Sequence, residues 1–177
     1  MKDLEEELRS VIRAVPDFPK EGIVFRDITP VLMEPFLCGR VVDAMANIYR
    51  KQEIDKIAGI DSRGFLFGFM LAQRLEKPFV MVRKKGKLPY TTLQHAYDLE
   101  YGSAEIEIHT DAVEPGEKVL IHDDLLATGG TADAAAHLVK KAGGTVAGFS
   151  FFIELSGLNG VQLLKTHSQN IVNLVAF

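Results

Sequence analysis

The spacing of apolar and polar positions divides the chain into helices, strands and irregular segments. Apolar residues recur at helical spacing over 4–12 and again over 36–50, which predicts two amphipathic helices. The segment between them, residues 16–35, is interrupted by prolines, so we expect it to be irregular. Because it also carries several large apolar side chains, we expect it to pack against the rest of the protein.

Two β-α-β units are predicted farther along the chain. The first contains a strand, a Gly-containing turn, an apolar helix and a second strand, at 56–60, 61–64, 64–75 and 79–82. The second contains a strand, a loop, a helix and a second strand, at 119–121, 123–130, 131–142 and 145–154. Strands that alternate with helices in this way predict an α/β fold.

Three further segments complete the predicted elements. Residues 84–98 are polar and basic, contain Gly and Pro and follow neither periodicity, so we interpret them as a mobile loop. Over 104–109, Glu105 and Glu107 alternate with isoleucines, which predicts a half-exposed strand with antiparallel neighbours. A short helix and a closing strand are predicted at 159–165 and 170–174.

Composition and charge exclude several classes of protein. With 177 residues, 47% of them hydrophobic, the chain suits one globular domain over 1–177. Its formal net charge of −4 lacks the basic field of a general nucleic-acid binder, so we expect no nucleic-acid partner. The acidic N-terminus has no apolar signal-peptide core, no apolar run is long enough to span a bilayer, and Cys38 has no partner for a disulfide. We therefore expect a cytoplasmic protein without a membrane partner.

The segment 119–131 carries the clearest chemistry. A buried strand delivers two adjacent carboxylates, Asp123 and Asp124, and the run from Ala127 through Thr128, Gly129 and Gly130 to Thr131 then opens a helix. Glycines, threonine hydroxyls and a helix N-terminus together can hold a phosphate. The neighbouring carboxylates would repel that phosphate unless they face sugar hydroxyls or a Mg²⁺ ion, so a phosphorylated sugar satisfies both halves.

Other readings of this segment have less support. The chain contains neither G-x-x-x-x-G-K-[ST] nor G-x-G-x-x-G, which disfavours an ATPase or a dinucleotide-binding protein. The plain structural alternative is an Asp pair at a strand end followed by a flexible turn. For the same segment in isolation, the functional and structural readings would be about equally plausible.

The segment resembles the 5-phosphoribosyl-1-diphosphate (PRPP) motif of the type I phosphoribosyltransferases, and the similarity covers residues 11–165. It extends to several ordered motifs, at 15–19, 25–30, 59–65, 83–89 and 99–102. The resemblance implies a central, mainly parallel sheet flanked by helices, with a flexible loop and a base-binding hood within residues 1–35. It is strongest to the adenine-specific members, and so implies purine salvage in which PRPP and adenine give AMP and diphosphate. Mg²⁺, held mainly through PRPP rather than by protein ligands, and a homodimer are implied as well.

The resemblance also assigns the residues that bind PRPP. It places Asp123 and Asp124 on the ribose hydroxyls and the run from 127 to 131 on the 5-phosphate. Asp61, Ser62 and Arg63 form the diphosphate loop, in which the Asp61–Ser62 peptide bond is expected to be cis. Arg83 and Lys87 are assigned to PRPP as well. The lysines of the basic segment 84–98 could form a solvated face, but a flexible basic segment beside a polyphosphate site suggests a lid that closes and excludes water.

The base and the proton acceptor are assigned in the same way. Phe25 is expected to stack on adenine, the backbones of Val24 and Arg26 to read its edge, and Leu125 to line its pocket. The resemblance implies two catalytic residues, Arg63 and Glu100, of which Glu100 accepts the purine proton. Taken singly, each has a structural alternative: core packing for Phe25, a surface helix start for Arg63 and a solvated face for Glu100.

Two departures and two rival functions remain. His122 stands where the family has a small apolar residue, and packing is the expected role; the other four histidines follow no nucleophile or metal pattern. Residues 157–161 lack the basic residue that the family carries there. A transferase for xanthine or hypoxanthine, or a PRPP-sensing regulator without turnover, would share the PRPP motif.

Overall fold

The computed structural model describes residues 2–98 and 103–177, which form six helices and nine strands. The helices are α1 (Lys2–Val11), α2 (Thr29–Leu32), α3 (Pro35–Tyr49), α4 (Gly64–Leu75), α5 (Gly130–Lys141) and α6 (Gly160–Leu164), with a 3-10 turn at Ser156–Leu158. The strands are β1 (Arg13–Pro16), β2 (Val24–Asp27), β3 (Lys56–Ile60), β4 (Phe79–Lys84), β5 (Thr92–Asp98), β6 (Ser103–His109), β7 (Lys118–Leu126), β8 (Thr145–Glu154) and β9 (Ile171–Ala176). Among the described residues, no helix is long and apolar enough to cross a membrane.

Seven strands form the central sheet, in the order β5-β6-β4-β3-β7-β8-β9. The five from β4 to β9 in that order are parallel, and β6 and β5 extend the β4 edge in antiparallel fashion. Both predicted β-α-β units and the antiparallel neighbours of the 104–109 strand are therefore confirmed. Because β3, β4 and β7 are parallel neighbours, their carboxyl ends lie at one edge of the sheet, where open α/β sheets hold their ligands.

Helices cover both faces of this sheet. Helices α1 to α4 pack on one face, where the inward side chains of the sheet include Leu120 and Phe152. Helices α5 and α6 pack on the other face, against side chains that include Val119, Ile121 and Phe151. Strand β7 alternates its side chains between the two cores and is buried on both faces, which is why its apolar stretch reads as continuous in the sequence.

The N-terminal segment is more regular than predicted. Strands β1 and β2 form an antiparallel hairpin over 13–27, and α2 follows at once. The prolines do not prevent this, because Pro16 ends β1 and Pro30 lies in the first turn of α2, where neither removes an interior hydrogen bond. Ile28 and Val31 are buried as expected, although the tip of the hairpin remains exposed.

The segment 84–98 is mostly not a loop. Strand β4 continues to Lys84, and all of β5 pairs with β6, which leaves 85–91 as the connection. The alternation of β5 escapes sequence analysis because its packed face carries His95 between two apolar residues, Leu93 and Tyr97. That histidine stacks on a ring of helix α5 instead of facing solvent.

Candidate active site

A polar cleft of about 360 Å³ opens at the carboxyl edge of β3, β4 and β7. Its polar lining brings together most of the residues predicted from the sequence: Asp61, Ser62, Arg63, Arg83, Asp123, Asp124 and Thr131. They come from three parts of the chain, which meet here because their strands are neighbours in the sheet. The cleft is therefore assembled by the fold and not by one contiguous motif.

The two adjacent carboxylates lie on strand β7 itself. The sequence predicts a strand that ends near residue 121, but pairing with β8 continues as far as Leu126, so Asp123 and Asp124 are strand residues. The correction follows from register: the long partner strand β8 supplies hydrogen-bonding groups that the polar sequence does not reveal. As strand neighbours, the two side chains point to opposite faces. The backbone N–H of Asp124 also donates to Oδ1 of Asp123 over 2.8 Å.

Both carboxyl groups have raised pKa values. Burial is the main cause for Asp123, and the negative charge of Asp124 adds to it. Burial also raises the pKa of Asp124, although the Arg63 guanidinium opposes the shift. Hydrogen-bond donors or cations that enter the cleft would stabilise the ionised form of these carboxyl groups, because either one compensates the buried negative charge.

Arg63 connects three parts of the site. Its Nε lies 2.9 Å from Oδ2 of Asp124, and its Cζ lies 5.0 Å from the centre of the Phe25 ring. Arg63 directly precedes α4, so the start of that helix fixes its backbone. The contacts with a buried carboxylate and an aromatic face argue against the simple surface arginine that a lone sequence motif would suggest.

The turn after β3 is held from the adjacent strand. The peptide bond between Asp61 and Ser62 is cis, as the resemblance implied. The backbone N–H of Asp61 donates to the carbonyl of Val82, and its Oδ2 accepts from Nε of Arg83 over 2.9 Å. Arg83 also donates to the backbone carbonyl of Lys87 over 3.1 Å. Arg83 thus links the turn, β4 and the connection 85–91, called the basic loop from here on.

Residues 127–131 form a small cup beside the cleft, with a volume of about 80 Å³. Gly129 has φ +88°, a conformation that a residue with a side chain rarely adopts. A Cβ at Gly160, the first residue of α6, would lie 2.3 Å from the Ala127 carbonyl and 3.1 Å from the Gly129 nitrogen. The N-terminus of α6 therefore packs directly on this cup and fixes its shape.

Tyr97 is a site residue that sequence analysis missed. It lines the cleft from β5, and its hydroxyl lies 3.2 Å from Oγ1 of Thr131. The only signal in the sequence is its place in the weak alternation of β5, which the polar character of 84–98 obscures. Lys84, at the end of β4, also lines the cleft, whereas Lys87 does not.

Glu107 is the second missed residue, and its predicted exposure is wrong. The side chain is 2% exposed, and its carboxylate accepts hydrogen bonds from the backbone N–H groups of Lys87 and Leu88 and from the Thr92 hydroxyl. Burial alone would raise the pKa of Glu107, but these hydrogen bonds hold it below its usual value. The carboxylate anchors the basic loop from beneath, so β6 is not a half-exposed strand at this position.

The hood, the hairpin of β1 and β2, lies above Arg63. Phe25 is half-buried and makes an edge contact with Phe18, with 5.2 Å between ring centres. Val24 is exposed, and the Arg26 guanidinium lies 4.1 Å from the centre of the Phe177 ring. The hood therefore presents an aromatic ring on the cleft side and is tied to the C-terminus through Arg26.

Two predicted residues stand apart from these contacts. Leu125 lines the cup together with 127–131. Glu100, two residues beyond the end of β5 in the chain, lies outside the described residues, so its predicted role as proton acceptor stays a prediction.

His122 is a buried packing residue, as expected. Its side chain is 0% exposed, and no well-formed hydrogen bond reaches either ring nitrogen from the described part of the chain. Burial lowers the pKa of His122 to about 4, and a weak interaction with the Ser150 backbone opposes this only in part. The imidazole is therefore neutral at pH 7 and belongs to the support beneath the Asp pair.

Comparison with known proteins gives a consistent result. A family model described as phosphoribosyl transferase domain matches residues 36–157. The adenine phosphoribosyltransferase of Cytophaga hutchinsonii is 48% identical over 174 residues, 98% of this chain and 96% of that protein. The crystal structure of adenine phosphoribosyltransferase from Rhodothermus marinus is 51% identical, with a TM-score of 0.94 and coverage of 100% of both chains. The enzyme from Saccharomyces cerevisiae, complexed with D-2,5-dideoxy-2,5-imino-altritol 1,6-bisphosphate and adenine, is 38% identical, with a TM-score of 0.91 over 98% of this chain and 99% of that one.

Proposed function

This chain belongs to the adenine phosphoribosyltransferases, and from the geometry of its cleft we propose how its residues divide the work of that reaction. The enzyme transfers the 5-phosphoribosyl group of PRPP to adenine and gives AMP and diphosphate, which makes it a pentosyltransferase of purine salvage. The assignment of residues to PRPP and to adenine rests mainly on the position of Arg63, between Asp124 on one side and Phe25 on the other.

PRPP occupies the cleft and the cup together in this proposal. The carboxylates of Asp123 and Asp124 accept hydrogen bonds from the ribose hydroxyls, which compensates their burial. The backbone N–H groups and hydroxyls of 127–131 hold the 5-phosphate at the start of helix α5, where the helix dipole favours an anion. The cup and the Asp pair are joined by Leu125 and Leu126, so one ligand can reach both.

The diphosphate lies against the turn at 61–63. Backbone N–H groups of this turn and the guanidinium groups of Arg63 and Arg83 supply its donors, with Lys87 approaching from the basic loop. In the structure Arg83 is paired with Asp61, so binding of diphosphate competes for a side chain that is already close by. If Arg83 leaves Asp61 for the diphosphate, its contact with the basic loop changes as well. Ligand binding is thereby linked to the position of the loop, as expected of a lid that excludes water.

Mg²⁺ is proposed to arrive with PRPP. In the part of the chain that the structure describes, the cleft carboxylates of Asp61 and Asp124 are each engaged by an arginine, and the cleft residues form no three-residue group of metal ligands. This donor set fits a magnesium ion held mainly by phosphate and ribose oxygens, since Mg²⁺ commonly takes few protein ligands. When bound, the ion neutralises charge on the diphosphate as that group departs.

Adenine is proposed to bind between the hood and Arg63. Its ring stacks on Phe25, and the backbone groups of Val24 and Arg26 read its edge, while Leu125 closes the far side. A backbone carbonyl accepts a hydrogen bond from a 6-amino group but would face the 6-oxo group of hypoxanthine, which leaves a buried acceptor unpaired. Selectivity for adenine follows from that polarity.

The chemical step needs a proton acceptor. N9 of adenine forms a bond to ribose C1 as the bond from C1 to diphosphate breaks, so the purine must lose a proton. We assign that proton, at N7, to Glu100, which follows β5 in the chain. Arg63 acts at the same time on the leaving group, where negative charge develops.

An assay with labelled adenine, PRPP and Mg²⁺ tests the acceptor base. We expect AMP from adenine and at least about 100-fold lower kcat/KM with hypoxanthine or xanthine, the discrimination that an unpaired buried acceptor supports. Equal use of the three bases would contradict the proposed reading of the base edge. Binding of RNA or DNA at physiological salt without any turnover would favour the rival regulator.

Substitutions separate the two halves of the site. Phe25→Ala should raise the KM for adenine by about 5- to 100-fold while the KM for PRPP changes little, because stacking on the base contributes on the order of 1–3 kcal/mol. Phe36→Ala, which removes an exposed ring on α3, is the matched control and should change neither constant. Replacement of Asp123 and Asp124 together by Asn should instead affect mainly PRPP. If adenine KM were unchanged in Phe25→Ala, the hood would not be the base site.

The role of Glu100 has its own test. Glu100→Gln keeps the size of the side chain but removes its basicity, so kcat should fall by roughly 10² to 10⁴ while PRPP binding is retained. A glutamine variant with normal kcat and adenine KM would assign the proton to water or to another group.

We also propose that two copies associate in the cytoplasm. Helix α4 exposes Leu66, Phe69 and Met70, whose spacing places them on one face, and a contiguous exposed apolar face is typical of a protein–protein contact. A second copy would cover this face, and Phe69→Glu should then shift the sedimentation coefficient to that of a monomer. A wild-type monomer at micromolar concentration would contradict the proposal. The one cysteine, Cys38, is buried and unpaired, which suits a reducing compartment.

A further inference from the structure

Three side chains with metal-ligating atoms meet where helix α5 contacts the segment after α6. Nε2 of His167 lies 2.7 Å from Oδ1 of Asp133, and Nε2 of His137 lies 3.7 Å from Oδ2 of the same carboxylate. One ligand atom from each of the three residues falls within 4.8 Å of the others. The group is separate from the cleft, and none of its members has a part in the proposed reaction.

The fold, rather than the local sequence, builds this group. Asp133 and His137 lie one turn apart on α5 and therefore share a face of that helix. His167 follows α6 and is almost buried, with its side chain 4% exposed. His95 of β5 stacks on His137 at 4.8 Å between ring centres, so a third imidazole packs against the group. The sequence shows no metal pattern here because His167 is distant along the chain.

The donor set and the spacing suit a borderline transition-metal ion. Two imidazoles and one carboxylate, with a water in the fourth position, are a common ligand set for Zn²⁺. At bond lengths of about 2.0–2.2 Å, two ligand atoms of a tetrahedral ion lie about 3.4 Å apart. Nε2 of His167 lies 2.7 Å from Oδ1 of Asp133, with which it shares a hydrogen bond, and Nε2 of His137 lies 3.7 Å from Oδ2, so small side-chain shifts bring the three groups to that spacing. We propose that Asp133, His137 and His167 bind one divalent transition-metal ion of the zinc class.

The positive charge of Lys140 disfavours a metal ion at this group. Its Nζ lies 2.7 Å from Nδ1 of His167. When Lys140 donates to that nitrogen, the ring proton sits on Nε2 and points at Asp133. Binding of a metal through Nε2 requires the proton to move to Nδ1 and the lysine to swing away, which its exposed side chain allows. The lysine thus sets the affinity, and no net proton need be released.

A metal here would fasten α6 to α5. Helix α6 begins at Gly160, which packs against the backbone of Ala127 and Gly129 in the phosphate cup, and the connection after α6 carries His167. A metal held by His167 and by two residues of α5 would therefore cross-link the segment after α6 to α5, and both helices contact the cup. The expected consequence is a more stable fold when the metal is bound, since an ion that binds only the folded state stabilises it.

The first test titrates the metal-free chain, without PRPP, with Zn²⁺ by calorimetry and with Co²⁺ by visible absorption. One equivalent should bind, with the intense d–d bands of tetrahedral Co²⁺ and a raised Tm. His137→Gln, at an exposed position, should weaken binding at least about 10- to 100-fold, the loss that even an outer-sphere partner causes. His109→Gln, at the far end of β6, is the matched control and should bind as the wild type does.

The second test exploits the opposing lysine. Lys140→Gln removes the positive charge beside His167 and supplies a carbonyl for Nδ1–H, so Zn²⁺ should bind several-fold to about tenfold more tightly. Lys141→Gln removes the neighbouring charge, whose Nζ contacts the Gln94 carbonyl instead, and should have a smaller effect. Absence of one-equivalent binding, wild-type affinity in His137→Gln, or loss of binding in Asp124→Asn but not in His137→Gln would overturn the proposal.

Discussion

Substitution of Gly64 by Ala tests how closely α4 must approach the Asp pair. A Cβ at Gly64 would lie 2.8 Å from Oδ1 of Asp123, 3.0 Å from its Cα and 3.1 Å from the carbonyl oxygen of His122. Ordinary contact begins at about 3.4 Å, so the new methyl group overlaps by up to 0.6 Å, and two of the three atoms belong to the backbone of β7. That strand is paired on both sides and cannot retreat without disturbing the sheet.

The magnitude follows from these overlaps. Overpacking of this kind costs about 1–3 kcal/mol, and the intrinsic gain of Ala over Gly in a helix returns about 0.5–1 kcal/mol. We expect a net loss of about 1–2 kcal/mol in the free energy of unfolding, which lowers Tm by roughly 2–8 °C for a chain of this size. Because the displaced group is the Asp123 carboxylate, kcat/KM for PRPP should fall roughly 10- to 100-fold.

Urea unfolding and steady-state kinetics with PRPP measure the two effects. Gly39→Ala is the matched control, because a Cβ at this position on α3 meets nothing within 4 Å. The control should be about 0.5–1 kcal/mol more stable than the wild type and fully active. If Gly64→Ala matched Gly39→Ala in stability and kept the wild-type kcat/KM, close packing of α4 on the Asp pair would not govern the site.

Three further substitutions test the buried polar groups. His122 has its usual pKa of 6.5 in the unfolded state and a pKa of about 4 in the folded state. The free energy of unfolding therefore falls by about 3 kcal/mol as the pH is lowered between these values. In urea unfolding, His122→Leu should lose less free energy of unfolding than the wild type between pH 7 and pH 4.5. The raised pKa of Asp123 means that its ionised form destabilises the fold as the pH rises; Asp123→Asn should therefore be more stable than the wild type at pH 8, by an amount that shrinks toward pH 4, while the KM for PRPP rises. Glu107→Gln weakens the acceptor beneath the basic loop, so amide hydrogen exchange over 85–91 should accelerate while that of the parallel strands stays unchanged. Equal pH dependence, equal stability or unchanged exchange in these variants would contradict the respective assignments.

The sequence alone determined the frame of the site. Continuous apolar runs bounded by glycines predicted both β-α-β units, because strands buried on both faces and their covering helices leave a strong local pattern. The Asp pair and the run from 127 to 131 lie in one short segment, so their residue types could predict a site for a phosphorylated sugar before the fold was known. The cleft at the strand ends then follows from the general behaviour of open α/β sheets.

Tertiary structure decided what depends on partners distant along the chain. Glu107 is buried because the basic loop folds over it, and Asp123 lies in a strand because β8 continues beside it. Neither partner is visible in the local alternation of apolar and polar residues. The contacts of Arg63 with both Asp124 and Phe25 likewise require three separate segments to converge.

The N-terminal hairpin and β5 are strands that the sequence pattern did not predict. Prolines in the N-terminal segment and His95 on the packed face of β5 hide the strand pattern. Local β-propensity is also weak where a strand pairs with only one neighbour at the edge of the fold. Sequence patterns thus specify elements whose side chains are buried by their own periodicity. Elements whose regularity comes from backbone hydrogen bonds to another segment, and charged groups whose burial is compensated by such a segment, are fixed only when the whole chain has folded.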